Sequence, residues 1–207
     1  MEPCTITVPV FPLPNVVFFP NTILPLHIFE PRYKEMVADA LAEEGRIGVA
    51  QLKPGWETDY YGNPPVYRTL GVGKIVSCHR WEDGRYDIAL EGIHRVRILN
   101  ELRRGDYRTA EVEVVPDTVN PGQQQEIDEN GERLGQVFNR LVEALPEPVQ
   151  GLKPKSWENP TPGLLADVLA HSFIENPYDK QSILGEPDVA RRMRLVVVQL
   201  KSILNRA

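Results

Sequence analysis

The chain has 207 residues, 42% hydrophobic and 25% charged, with 23 Lys+Arg against 29 Asp+Glu and a formal charge of −6. That balance belongs to a globular chain long enough for one domain or two small ones, and it excludes wholesale disorder, collagen-like and coiled-coil classes. A net acidic chain makes no global electrostatic case for nucleic acid.

The opening segment MEPCTITVPV has no basic stretch and no long apolar run, so it does not read as a secretory signal. No run of ~18 apolar residues follows, and a membrane partner is not expected. Cys4 and Cys78 are too few for a disulfide framework, and free thiols point to a cytoplasmic setting. Nineteen prolines call for many turns and edges.

Ile6 to Val10 reads as a strand, with Ile6, Val8 and Val10 on one face. Prolines at 12, 14, 20 and 25 then keep the chain extended or turning. Leu24 to Phe29 is the next strand. Pro31 opens a helix whose apolar face is Tyr33, Met36, Val37, Ala40 and Leu41, closed at Gly45. Ile47 to Leu52 is a strand, and 53–65 is a long loop with Trp56, Tyr60 and Tyr61. Leu70 to Trp81 and Arg85 to Glu91 form a hairpin across Asp83-Gly84, which suits a tight turn with both residues at positive φ. Ile93 to Leu99 and Tyr107 to Val115 add two strands. Six or seven short strands with one inserted helix predict a small, partly closed antiparallel β-barrel over 1–116.

Residues 117–207 read as a helical subdomain, giving an α+β chain overall. Ile127, Leu134, Phe138, Leu141 and Leu145 make one helical stripe, weakened by Gly131 and Gly135. A proline-rich connection, 146–160, carries Trp157. Thr161-Pro162 starts a helix as N-cap and N1. A last helix follows Pro187-Asp188, with Val189, Met193, Val196, Val197, Leu200 and Leu204 inward and Arg191, Arg192, Arg194 and Lys201 mostly outward.

Catalytic patterns are absent from the sequence. There is no GxxxxGK[ST] loop and no GxSxG elbow, so no cofactor and no catalytic residue is assigned. Lys180 and Ser182 are near in sequence, which does not make a Ser–Lys dyad. Cys78 and His79 point to opposite faces of a strand, and His27, His94 and His171 are scattered, so no metal site is assigned. Three surfaces invite binding. Val16, Val17, Phe18 and Phe19, bounded by Pro14 and Pro20, either fill the core or form a protein- or peptide-docking patch. Trp56, Tyr60 and Tyr61 offer loop aromatics for the same purpose, or fold back over the sheet. Arg95, Arg97 and Arg108 could line an RNA-binding strand face, with nearby acidic residues ready to neutralise it.

Three blocks resemble the amino-terminal domain of Lon proteases. The first holds Pro12-Leu13, Val16 to Pro20, Pro25 to Phe29 and Glu30-Pro31-Arg32-Tyr33. The second is Glu91-Gly92-Ile93-His94-Arg95-Val96-Arg97-Ile98. The third is Leu165 to Ala170 followed by Asp179 to Leu184. The resemblance implies a PUA-like barrel (the pseudouridine-synthase and archaeosine-transglycosylase class) followed by a helical bundle. It also implies a non-catalytic module that recognises unfolded or tagged polypeptide, or a protein partner, and leaves self-association open. The ATPase and Ser–Lys protease domains of full-length Lon have no counterpart before Ala207, so the chain is similar to stand-alone members. An RNA-binding PUA-like module and an unrecognised hydrolase are the alternatives.

Overall fold

Apolar residues at every second position make β1 (Thr5–Leu13), in which Val8 and Val10 are buried. The computed structural model describes residues 5–59, 62–143 and 161–204. Cys4, Leu145 and the proline-rich connection with Trp157 lie outside them. Two compact units follow one another, Met1–Val115 and Pro116–Ala207.

The first unit contains β2 (Ile23–Ile28), α1 (Pro31–Ala42), β3 (Arg46–Gln51), β4 (Thr69–Arg80), β5 (Tyr86–Arg104) and β6 (Tyr107–Val114). Six strands form one sheet in the order β2-β5-β4-β3-β1-β6. β5 also pairs with β6, which closes every strand but β2 into a ring. The sheet is mixed, not antiparallel throughout: β1 and β3 run parallel. The reason lies in the connection. β2 departs to pair with β5, and α1 carries the chain back, so β3 enters beside β1 in the same direction.

α1 begins at Pro31 and buries Tyr33, Met36, Val37 and Ala40. Leu41, expected on the same face, is exposed instead. Met36 and Val37 share a core cluster with Phe18, Ile28, Ile47, Ile88 and Leu90. A second cluster gathers Val8, Val10, Leu70, Val72, Val96, Ile98 and Val112.

The sequence suggests two strands where the structure has one, the 19-residue β5. Gly92 inside it marks a close approach, not a break. A Cβ there would collide with the carbonyl oxygen of Phe19, one on Gly71 with that of Phe18, and one on Gly73 would sit 2.5 Å from the Phe18 ring. Three glycines on paired strands thus form a trough that the Phe18-Phe19 backbone and the Phe18 ring occupy.

The β4–β5 connection also departs from the expected primed turn. The Trp81 N–H donates to Arg85 O, the Gly84 N–H donates to Trp81 O, and among these residues only Gly84 has positive φ. This is a three-residue loop with Gly in the left-handed position.

The second unit holds α2 (Gln124–Glu143), α3 (Pro162–Phe173), α4 (Pro177–Leu184) and α5 (Val189–Leu204). Ile127 and Leu134 of α2 are buried, as are Val189, Met193, Val196, Val197 and Leu200 of α5. Thr161 Oγ1 accepts from the Leu164 N–H at 3.3 Å, and Asp188 Oδ1 from the Arg191 N–H at 2.9 Å. Arg192 corrects the outward expectation. It has no exposed surface, reaches Asp117 at 2.6 Å and Asp167 at 3.1 Å, and donates to Glu186 O. A charge so buried persists only when paired. Among the described residues no helix is long and apolar enough to cross a membrane.

Candidate functional site: an open face of β2, β5 and β4

The alternation in β2 leaves Ile23, Pro25 and His27 exposed while Ile28 is buried. The register carries this face across the sheet. Pro25 lies beside Ala89 and Ala89 beside Ser77; His27 lies beside Asp87 and Asp87 beside His79. Tyr86, Ile88 and Leu90, on the opposite face of β5, belong to the core. One side of these strands therefore anchors the unit and the other is open.

Large apolar groups mark the open side. Phe29 is 61% exposed, Ile23 52% and Trp81 45%. Asp87 ties Trp81 and His27 to this side. Its Oδ1 lies 2.5 Å from His27 Nδ1, and its Oδ2 accepts from Trp81 Nε1 at 2.7 Å. Those two hydrogen bonds hold the Asp87 carboxyl below the usual carboxylate range, His27 contributing most. The His27 and Phe29 rings stack with centroids 6.1 Å apart, and the His79 ring meets Trp81 edge-on at 4.7 Å. Arg85 completes the border, donating to Asp83 Oδ2 at 2.7 Å. The result is a set of exposed rings held in place by a carboxylate.

A family model described as the ATP-dependent protease La (LON) substrate-binding domain matches residues 7–202. The chain belongs to the Lon substrate-binding domain family. Among curated relatives it is 29% identical to Lon protease 2 of Myxococcus xanthus, over 96% of this chain and 23% of that protein. It is also 29% identical to the Lon protease of Dictyoglomus thermophilum, over 93% of this chain and 24% of that protein. The chain thus spans about a quarter of the length of these relatives. Among solved structures, the N-terminal domain of Mycobacterium avium complex Lon protease superposes with a TM-score of 0.68 at 19% identity, covering 95% of this chain and 98% of that one. A Lon N-terminal domain protein from Xanthomonas campestris gives 0.65 at 21%, covering 93% and 98%.

In this Lon substrate-binding domain the Val16 to Phe19 segment takes the core-filling one of the two readings the sequence offers, and it is not an exposed docking patch. Phe18 and Phe19 are 0% exposed, Val17 is buried, and Val16 is partly buried against the core. The glycine trough explains this: it draws the backbone so close that the Phe18 ring enters the cluster under α1. Trp56 is partly buried against the second core cluster. Tyr60 and Tyr61 lie outside the described residues.

The arginine stripe does not form on the surface. Arg95 is buried, Arg97 lies 3.6 Å from Glu113, and Arg108 donates to Pro64 O and sits 3.8 Å from Glu101. Lys180 and Ser182 turn to different partners. The amine donates to His171 O at 2.8 Å and the hydroxyl to Tyr178 O at 2.9 Å. Among the described residues no three His, Cys, Asp or Glu side chains come together as a metal site.

Phe29, Trp81, His27 and Asp87 escaped the sequence reading as a group. A weak signal existed: an aromatic ends the β2 segment and another ends the β4 segment, each next to a turn or cap. Only the register shows that the two strands flank β5 and share a face.

Proposed function

We propose that the open face of β2, β5 and β4 binds apolar side chains of unfolded polypeptide, and that the chain is a non-catalytic, cytoplasmic substrate-recognition module of a Lon-type system. The observation that carries this is the concentration of Ile23, Phe29 and Trp81 on one exposed face of a family member. Apolar surface left in water is costly and gains when covered, by roughly 25 cal/mol per Å². Trp81, tied to Asp87, has less freedom to lose on binding than an untethered ring. An exposed sheet face carrying anchored rings accepts many sequences, which suits a reader of unfolded chains.

Binding of fluorescently labelled, reduced and carboxymethylated α-lactalbumin, followed by anisotropy, tests the reading. Truncating an aromatic anchor costs about 1–2 kcal/mol, so Phe29→Ser with Trp81→Ser should weaken capture at least about tenfold. Both rings are exposed, and the variant should keep its circular dichroism spectrum. Unchanged affinity in the folded double variant would refute the assignment.

A further inference from the structure

Among the described residues, no strand lies against the outer edge of β4 near the hairpin. β3 covers β4 only through the pairs from Arg46↔Lys74 to Val49↔Gly71, whereas β5 continues to Tyr86↔Arg80. Val76 to Arg80 are all exposed. The direction of the backbone groups follows from one hydrogen bond. The Trp81 N–H donates to Arg85 O at 2.9 Å, so this pair is a bonded one. Alternation then makes Arg80↔Tyr86 unbonded, His79↔Asp87 bonded and Cys78↔Ile88 unbonded. The main-chain N–H and C=O of Cys78 and Arg80 therefore point away from β5, toward solvent.

A donor and an acceptor on every second residue match one chemistry, an extended main chain of any sequence. We infer that the β4 edge takes an extended segment of unfolded polypeptide as an added strand, paired through the backbone of Cys78 and Arg80. This rests on the proposed function and supplies its mode of binding. An added strand sets its alternate side chains on the same face as Ser77, His79 and Trp81, beside the exposed rings. The shift of register between Ile75 and Ser77 limits the straight edge to 77–80. Two outward residues give too few bonds to hold a second copy of a folded domain. They suffice for a chain that also seats apolar side chains next to Trp81.

The test is amide hydrogen exchange by NMR, with reduced, carboxymethylated α-lactalbumin as the probe and under reducing conditions. The probe should slow exchange at Cys78 and Arg80 at least tenfold. Cys78→Pro deletes an outward N–H that β5 does not use, so it should weaken binding about tenfold, while Cys78→Ser binds as wild type. If the probe binds but both amides keep their free rates and Cys78→Pro binds normally, the added strand is refuted and the face reading survives. If the probe fails to bind wild type, both fall. Protection that appears without probe and rises with protein concentration would assign the edge to a second copy and overturn the inference.

Discussion

Asp87 carries an unusual load for a surface carboxylate. It holds two donors, His27 Nδ1 and Trp81 Nε1, and both rings belong to the open face. Its carboxyl titrates below the ordinary 3.8, because both hydrogen bonds favour the charged form. A folded-state pKa below the unfolded one adds stability that is present above pH 3.8 and is lost as pH falls through the lower folded value. The side-chain carboxyl carbon resonance of Asp87 should therefore titrate with a midpoint below 3.8. In Asp87→Asn the Trp81 indole N–H resonance should be displaced at neutral pH, because its charged acceptor is gone. An Asp87 midpoint at or above 3.8 in wild type would contradict the hydrogen-bonded arrangement. Phe18 and Phe19 teach the opposite lesson. Sequence shows four bulky groups in a row, and it can only pose the choice between core and rim. The answer depends on Gly71, Gly73 and Gly92, far along the chain, whose missing side chains admit the segment.

At the scale of elements, local rules are legible and pairings are not. Pro31 at N1 and the Tyr33, Met36, Val37 face define α1 from sequence, and the structure agrees. α4 had the same signal, Asn176-Pro177, and its N-cap Oδ1 accepts from the Tyr178 N–H at 2.9 Å. That dipeptide repeats the pattern of Thr161-Pro162 and could have been recognised. The parallel β1–β3 pair could not, since it depends on where β2 goes. Gly92 looked like punctuation because glycine inside a strand weakens it. Its real reason is steric, and Gly92→Ala tests that. A methyl group aimed at the Phe19 carbonyl must displace the backbone that follows the core wedge. Overpacking of this kind costs about 1–3 kcal/mol or more, so the urea midpoint should fall markedly. A Gly92→Ala variant as stable as wild type would show that the trough is not needed.

The whole chain divides its tasks in a way that composition hides. A net charge of −6 conceals local pairing in which Arg97 and Arg108 sit by acidic partners and Arg192 is consumed inside the helical unit. Arg192 was expected outside as a charged residue, yet its spacing from Val189 and Val196 sets it on the buried face, where Asp117 and Asp167 pair with it. The first unit keeps one side of β2, β5 and β4 for its core and leaves the other to solvent. The central claim is that this open side meets unfolded polypeptide. Chemical-shift mapping on the full chain tests it most directly, with reduced, carboxymethylated α-lactalbumin as the titrant. The account predicts perturbations concentrated at Ile23 to Phe29, Val76 to Trp81 and Arg85 to Glu91. Perturbations confined to the helices of the second unit, with those three segments unmoved, would contradict it.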